Sequence, residues 1–245
     1  MYTKHKWNSE VFYNFEYVTY LPKDYDENRK YPLVFFLHGA GERGNDLDVA
    51  CRHGFMKHVR EENKDYPFIF VAPQCPHNKY WGCYTESLLA FLDDICDTLP
   101  VDLNRVYLTG LSMGGTGTFM LAMAAPERFA AIAPICGSGI YWYGEVLVDI
   151  PVFMYHGDCD DIVPIHESIS MLNSINKRGG NAQLKICYGL GHNAWDIAYS
   201  GDELTDWLLS HNKPLILKSE SPATTPVVLA IKEDCTVFEG AVKKF

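Results

Sequence analysis

The chain has 245 residues, 47% hydrophobic and 21% charged, enough ordinary globular sequence for one large core. Its 21 basic and 31 acidic residues leave a net charge of −10, which argues against nucleic acid or an anionic membrane surface as partner. No run approaches the roughly 18 apolar residues of a membrane span, and the polar start Met1–Glu10 predicts no signal peptide.

Apolar strand-like runs alternate with longer helical patterns. Residues 11–20 read as an early strand, ended by Leu21-Pro22. Residues 33–37, after Pro32, and 68–72, after Pro67, read as short buried strands. Four more are expected at 106–109, 130–135, 152–155 and 183–188. Helical patterns fall near 46–60, 86–99, 112–124, 165–178 and 196–210. Such alternation predicts an α/β fold, a mainly parallel central sheet flanked by helices on both faces. Right-handed crossovers then bring the strand C-termini, and any site built on them, to one edge. The link from Ile135 to Val152 is too short for a large cap domain. Composition shifts at Lys218–Pro226, which reads as a linker. The strand-like Val227–Ile231 beyond it would add to a sheet edge, in this chain or in a neighbouring subunit, and is the one feature that suggests an oligomer.

The eight cysteines stand at 51, 75, 83, 96, 136, 159, 187 and 235, none in a C-x-x-C pair. That spacing indicates neither a zinc site nor a redox dithiol. Several lie inside predicted elements, where a reduced thiol behaves as a small apolar side chain. A reducing compartment, the cytoplasm, is the expected location.

The most informative stretch is Arg105–Gly115. A short apolar strand runs into Gly110-Leu111-Ser112-Met113-Gly114, and a helix-forming run follows. This is the strand–turn–helix context that a G-x-S-x-G nucleophile elbow requires. Its glycines suit a turn too tight for side chains beside the serine. Ser112 would project from the C-terminal edge of the sheet with its hydroxyl free to react.

A serine hydroxyl needs a base, and the base needs an orienting acid. In folds carrying this elbow both follow the nucleophile in the chain, which leaves His156, His166, His192 and His211. His192, in Gly189-Leu-Gly-His-Asn-Ala-Trp195, sits on a glycine-flanked loop after the last predicted strand and is the expected base. His166 starts a helix and His211 ends one, so both read as surface residues, and His156 reads as part of a turn. The loop after strand 152–155 offers Asp158, Asp160 and Asp161 as the acid, and spacing does not choose among them. One oxyanion donor would be the amide of Met113. The other would come from the glycine-rich His38–Gly44, which fits neither G-x-G-x-x-G nor a P-loop. Arg43 in that loop is expected to pair with a local acid such as Glu42.

Taken together, Leu37–Gly44, Gly110–Gly114, His156–Pro164 and Gly191-His192 resemble the α/β-hydrolase serine esterases, in the order that family has them. The likeness is greatest to the carboxylesterase/phospholipase group, which includes acyl-protein thioesterase-like enzymes. Gly191–Asp196 is also similar to small feruloyl and polyhydroxyalkanoate-depolymerase-like esterases. The resemblance covers about residues 15–215. It implies an α/β-hydrolase catalytic domain over 1–215, with an extension of unknown role over 216–245. It also implies Asp160 as the acid and Ala40 as the second oxyanion donor. A Ser112–His192–Asp160 triad would hydrolyse short-chain or aromatic, feruloyl- or acetyl-type, esters through an acyl-enzyme, with no cofactor or metal. Lysophospholipase or acyl thioesterase activity is the alternative within enzymes, and a non-catalytic binding protein the alternative outside them. Trp81, Trp142 and Trp195, with Tyr141 and Tyr143, flank these motifs and are candidates to line a substrate pocket.

Overall fold

The computed structural model describes residues 2–213. Strands β1 (Tyr2–Lys6) and β2 (Glu16–Tyr20) pair antiparallel, and β2 lies antiparallel to β4 (Ile69–Pro73). With β3 (Tyr31–Leu37), β5 (Val101–Leu111), β6 (Ala131–Ile135), β7 (Val152–Gly157) and β8 (Ala182–Cys187) they form one sheet in the order β1-β2-β4-β3-β5-β6-β7-β8. Every pairing from β4 to β8 is parallel.

Both faces are covered, as the continuous apolar runs require. On β3, Leu33, Phe35 and Leu37 join a core with α3 (Thr85–Thr98), α4 (Met113–Ala124) and α5 (His166–Asn176). Val34 and Phe36 point the other way, toward α1 (Leu47–Ala50), α2 (Phe55–Glu62), α6 (Trp195–Ser200) and α7 (Glu203–Leu209). The strand period of two divides one short sequence between two cores.

The expected α/β-hydrolase architecture is present, with corrections of detail. Residues 11–15 are not strand, and the early strand is only Glu16–Tyr20. β1 was not expected, because Tyr-Thr-Lys-His-Lys is mostly exposed and lacks apolar alternation. Such lysine-bearing edge strands are protected against further pairing. The helix expected over 46–60 is split between α1 and α2. Gly54 caps α2 with φ +69°, and a β-carbon there would lie 2.7 Å from the Phe36 ring. The helix expected over 196–210 is likewise split, at Gly201, which leaves the helix in an extended conformation. The β6–β7 connection holds only a 3₁₀ segment, Tyr141–Leu147, and no cap domain. The extension 216–245 and its strand-like run lie outside the described residues.

The chain order decides where a site can form. β4 lies to one side of β3, and the chain then crosses to β5 on the other. The loops leaving β3 and β5 are therefore neighbours at the C-terminal edge, the crevice where open α/β sheets bind ligands.

Candidate active site

β5 ends at Leu111, and Ser112 follows with φ 54° and ψ −118° before α4 begins at Met113. A non-glycine residue holds such a conformation only when its surroundings over-determine it. Here Ser112 N donates to Ile135 O of the neighbouring strand at 2.9 Å. Gly110 supplies the clearance, since a β-carbon there would stand 2.5 Å from the carbonyl oxygens of Leu37 and Gly114.

His192 lies on the loop after β8. Its Nε2 is 2.7 Å from Ser112 Oγ, and its Nδ1 is 2.8 Å from Asp160 Oδ2. A carboxylate can only accept, so Nδ1 carries the hydrogen and Nε2 is free to take the serine proton. Asp160 has a fully buried side chain on the loop after β7. Its other oxygen accepts from the amides of Ile162 at 3.0 Å and Val163 at 2.9 Å. Burial works against its charge, but the bonds from His192 and the two amides outweigh that and hold the carboxyl below its ordinary range.

The other two aspartates do not reach His192. Asp158 accepts from Gly189 N at 2.6 Å and so steadies the turn before the histidine. Asp161 is exposed. His156 is not a turn residue: it lies in β7, paired with Ile186 of β8. It is fully buried, with Nε2 2.8 Å from Val163 O and 3.2 Å from Asp160 Oδ2. Both oxygens only accept, so Nε2 carries the hydrogen, while Nδ1 meets Ser168 Oγ at 2.7 Å. It thus packs behind Asp160 and ties its loop to α5. Only burial in three dimensions distinguishes this residue from a turn histidine. His166 is exposed, as expected, and His211 is half-buried at the end of α7.

Ala40 opens a 3₁₀ turn, Ala40–Glu42, just beyond β3, and Met113 opens α4. Amides at the first position of a helix have no partner within it, so both are suited to an incoming anion. His38 anchors the turn. Its Nδ1–H donates to Gly39 O at 2.7 Å, and its Nε2 accepts from Cys75 N at 3.0 Å. Burial lowers its pKa to about 4, so the ring is neutral at neutral pH. Arg43 corrects an expectation. It donates to the carbonyls of Ala40 and Lys79 and lies over the Tyr80 ring, instead of pairing with Glu42.

A pocket of about 270 Å³ opens beside Ser112, walled by Tyr80, Trp81, Met113, Thr116, Met120 and Val163. Met113, Thr116, Gly117 and Met120 share one face of α4 at helical spacing, a signal already present in the sequence. Of the three tryptophans singled out, Trp81 lines this pocket, though it is buried and its Nε1 donates to His38 O at 2.9 Å. Trp195 stands edge-on to His192, with centroids 5.2 Å apart. Trp142 lies elsewhere, 62% exposed, in a cleft against α5.

One group of metal-type donors occurs among the described residues: Cys136, Asp160 and His192, whose ligand atoms lie within 4.8 Å of one another. Two of these are already bonded to each other. Burial pushes the Cys136 thiol up, away from the thiolate a metal needs. No disulfide joins the seven cysteines among the described residues, and no helix there is long and apolar enough to cross a membrane.

The family model described as "Putative esterase" matches residues 14–163. The chain belongs to this esterase family. The probable feruloyl esterase C of Aspergillus terreus is 29% identical over 169 residues, 67% of this chain and 62% of that protein. The chain thus matches less than two thirds of that relative's length. A solved thermostable esterase is 32% identical with a TM-score of 0.78, over 86% of this chain and 63% of the other. A solved ferulic acid esterase, 19% identical, shares the fold with a TM-score of 0.69, over 85% of this chain and 97% of the other.

Proposed function

We propose that the chain is a serine carboxylic-ester hydrolase with Ser112 as nucleophile, His192 as base and Asp160 as orienting acid. The observation that carries this reading is the unbroken line Ser112 Oγ to His192 Nε2 at 2.7 Å and His192 Nδ1 to Asp160 Oδ2 at 2.8 Å. Membership of the esterase family supports it.

Ser112 Oγ attacks the ester carbonyl carbon while its proton passes to His192 Nε2. The carbonyl oxygen becomes an oxyanion, held by the Ala40 and Met113 amides. Asp160 remains ionised and stabilises the imidazolium. Collapse breaks the bond to the alcohol oxygen, which takes the proton from His192, and leaves an ester on Ser112. Water then attacks with His192 again as base, and the acid departs with Ser112 restored. Every step uses groups of the chain and water.

The pocket supports a reading of the substrate class. About 270 Å³ of largely apolar wall suits a short acyl chain or a single ring. The feruloyl esterases among the relatives support an aromatic acyl group. A long fatty acyl chain fits this pocket poorly, which disfavours lysophospholipase or long-chain thioesterase activity. A panel of p-nitrophenyl esters of increasing chain length, with methyl hydroxycinnamates, tests the reading. Turnover of acetyl, butyryl or hydroxycinnamoyl esters with a steep fall at longer chains is expected. A preference for palmitoyl esters would overturn the substrate assignment.

A further inference from the structure

Tyr80 lines the pocket beside Ser112, yet it is 62% exposed. Its neighbours in the chain are fixed. Trp81 is buried, with Nε1 donating to His38 O at 2.9 Å. A β-carbon at Gly82 would collide with Met120 Cε, so this segment rests directly on α4. The Tyr80 carbonyl accepts from Cys83 N at 3.0 Å. The Tyr80 ring is different. Among the described residues no hydrogen bond reaches its hydroxyl, and no other aromatic ring packs on it.

What lies over that ring is Arg43, from the neighbouring loop, with Cζ 5.6 Å from the ring centroid. Arg43 Nε donates to Ala40 O at 2.8 Å, and its Nη1 donates to Lys79 O at 3.3 Å. The two carbonyls belong to different loops, one after β3 and one after β4. A planar guanidinium serves both in one fixed geometry, which a lysine ammonium could not. Among the described residues no carboxylate lies within ion-pair distance of Arg43, and Glu42, next to it in the chain, faces His53 instead. The charge of Arg43 is thus left to the face of the ring.

We propose that Arg43 is a specificity-determining residue. Anchored on two loops, it holds the Tyr80 ring as a fixed wall of the pocket and so favours a planar aromatic acyl group over an acetyl group. This role rests on the esterase reading above and names the acyl group that its site prefers. An exposed ring that nothing holds samples several rotamers. A substrate that packs on it must first order it, which weakens binding, and a ring already held removes that cost. An acetyl group fills little of about 270 Å³ and gains little from the wall. Arg43 does not line the pocket and acts through Tyr80.

Binding tests this without turnover. In Ser112→Ala, methyl ferulate binds uncleaved, and it carries no anion for Arg43 to attract. Quenching of tryptophan fluorescence reads its Kd, since Trp81 stands in the pocket wall. Adding Arg43→Met, which keeps the aliphatic stem and removes both donors and the charge, should raise Kd about 5-fold. Adding it to Ser112→Ala/Tyr80→Ala should raise Kd no further, because the ring through which Arg43 acts is gone. With Ser112 intact, the ratio of kcat/KM on methyl ferulate to that on p-nitrophenyl acetate should fall by the same factor in Arg43→Met. Arg43→Lys, which keeps the charge without the anchor on both carbonyls, should lie between. Melting curves report folding, and if Arg43→Met does not fold, Arg43→Lys carries the comparison. No measurable binding to Ser112→Ala, a Kd or a ratio indifferent to Arg43, or an equal rise in Kd with and without the Tyr80 ring overturns the proposal. The esterase reading fails separately, if Ser112→Ala retains full activity.

Discussion

A β-carbon at Gly114 would lie 1.8 Å from the carbonyl oxygen of Leu37. The helix after Ser112 thus rests directly on the last residue of β3, where the loop carrying Ala40 departs. No side chain fits between them, and the contact is backbone on both sides, which cannot swing away. Gly114→Ala should therefore cost more than about 3 kcal/mol. Chemical denaturation checks this, and a variant of near wild-type stability would show that the elbow is not packed as described.

The three loop aspartates separate by role. Asp160→Asn removes the carboxylate acceptor at His192 Nδ1 and favours the wrong tautomer, so kcat should drop on the order of 10³–10⁴-fold. Asp161→Asn should stay near wild type, and Asp158→Asn should lose only a modest amount through the turn at Gly189. Steady-state kinetics on one p-nitrophenyl ester decides among them. Full activity in Asp160→Asn with loss in Asp161→Asn would move the acid.

His38 predicts the acid limb of the stability profile. Burial lowers its pKa from 6.5 to about 4, so the unfolded chain binds the proton more readily than the fold does. Its contribution is complete above about pH 6.5, declines as pH falls from there toward 4, and is then gone. The swing amounts to about 3 kcal/mol. Denaturation midpoints between pH 4 and 7 measure it, and His38→Gln should flatten that limb while lowering stability at neutral pH. An equally steep limb in the variant would assign the loss to other groups.

Met120 forms part of the wall of the pocket beside Ser112. Met120→Phe should narrow it and lower kcat/KM for hydroxycinnamoyl esters on the order of 10-fold while sparing acetyl esters. Equal effects on both substrates would place the acyl group elsewhere.

Much of this was legible in the sequence because the elements concerned are fixed by local chemistry. The apolar runs of β3, β4, β6 and β7 are buried along their whole length, which calls for cover on both faces of the sheet. The run Gly110–Gly114 admits only a tight turn. What escaped notice depends on three-dimensional neighbours. β1 is a polar edge strand whose pairing with β2 has no apolar signature. The break at Gly54 exists because the Phe36 ring occupies the space a side chain would need. Arg43 turns to backbone carbonyls and Tyr80, which proximity to Glu42 in the chain could not reveal. The burial of His156 behind Asp160 and the contact of Asp160 with His192 likewise arise only once the loops after β7 and β8 lie side by side.

The central claim is that the Ser112 hydroxyl is made nucleophilic by His192. Labelling of the folded protein with a fluorophosphonate, followed by peptide mass spectrometry, tests it most directly. One adduct on Ser112 is predicted, absent in Ser112→Ala and slowed by orders of magnitude in His192→Ala. A folded wild type that remains unlabelled at Ser112, or that labels equally fast without the imidazole, would contradict the account.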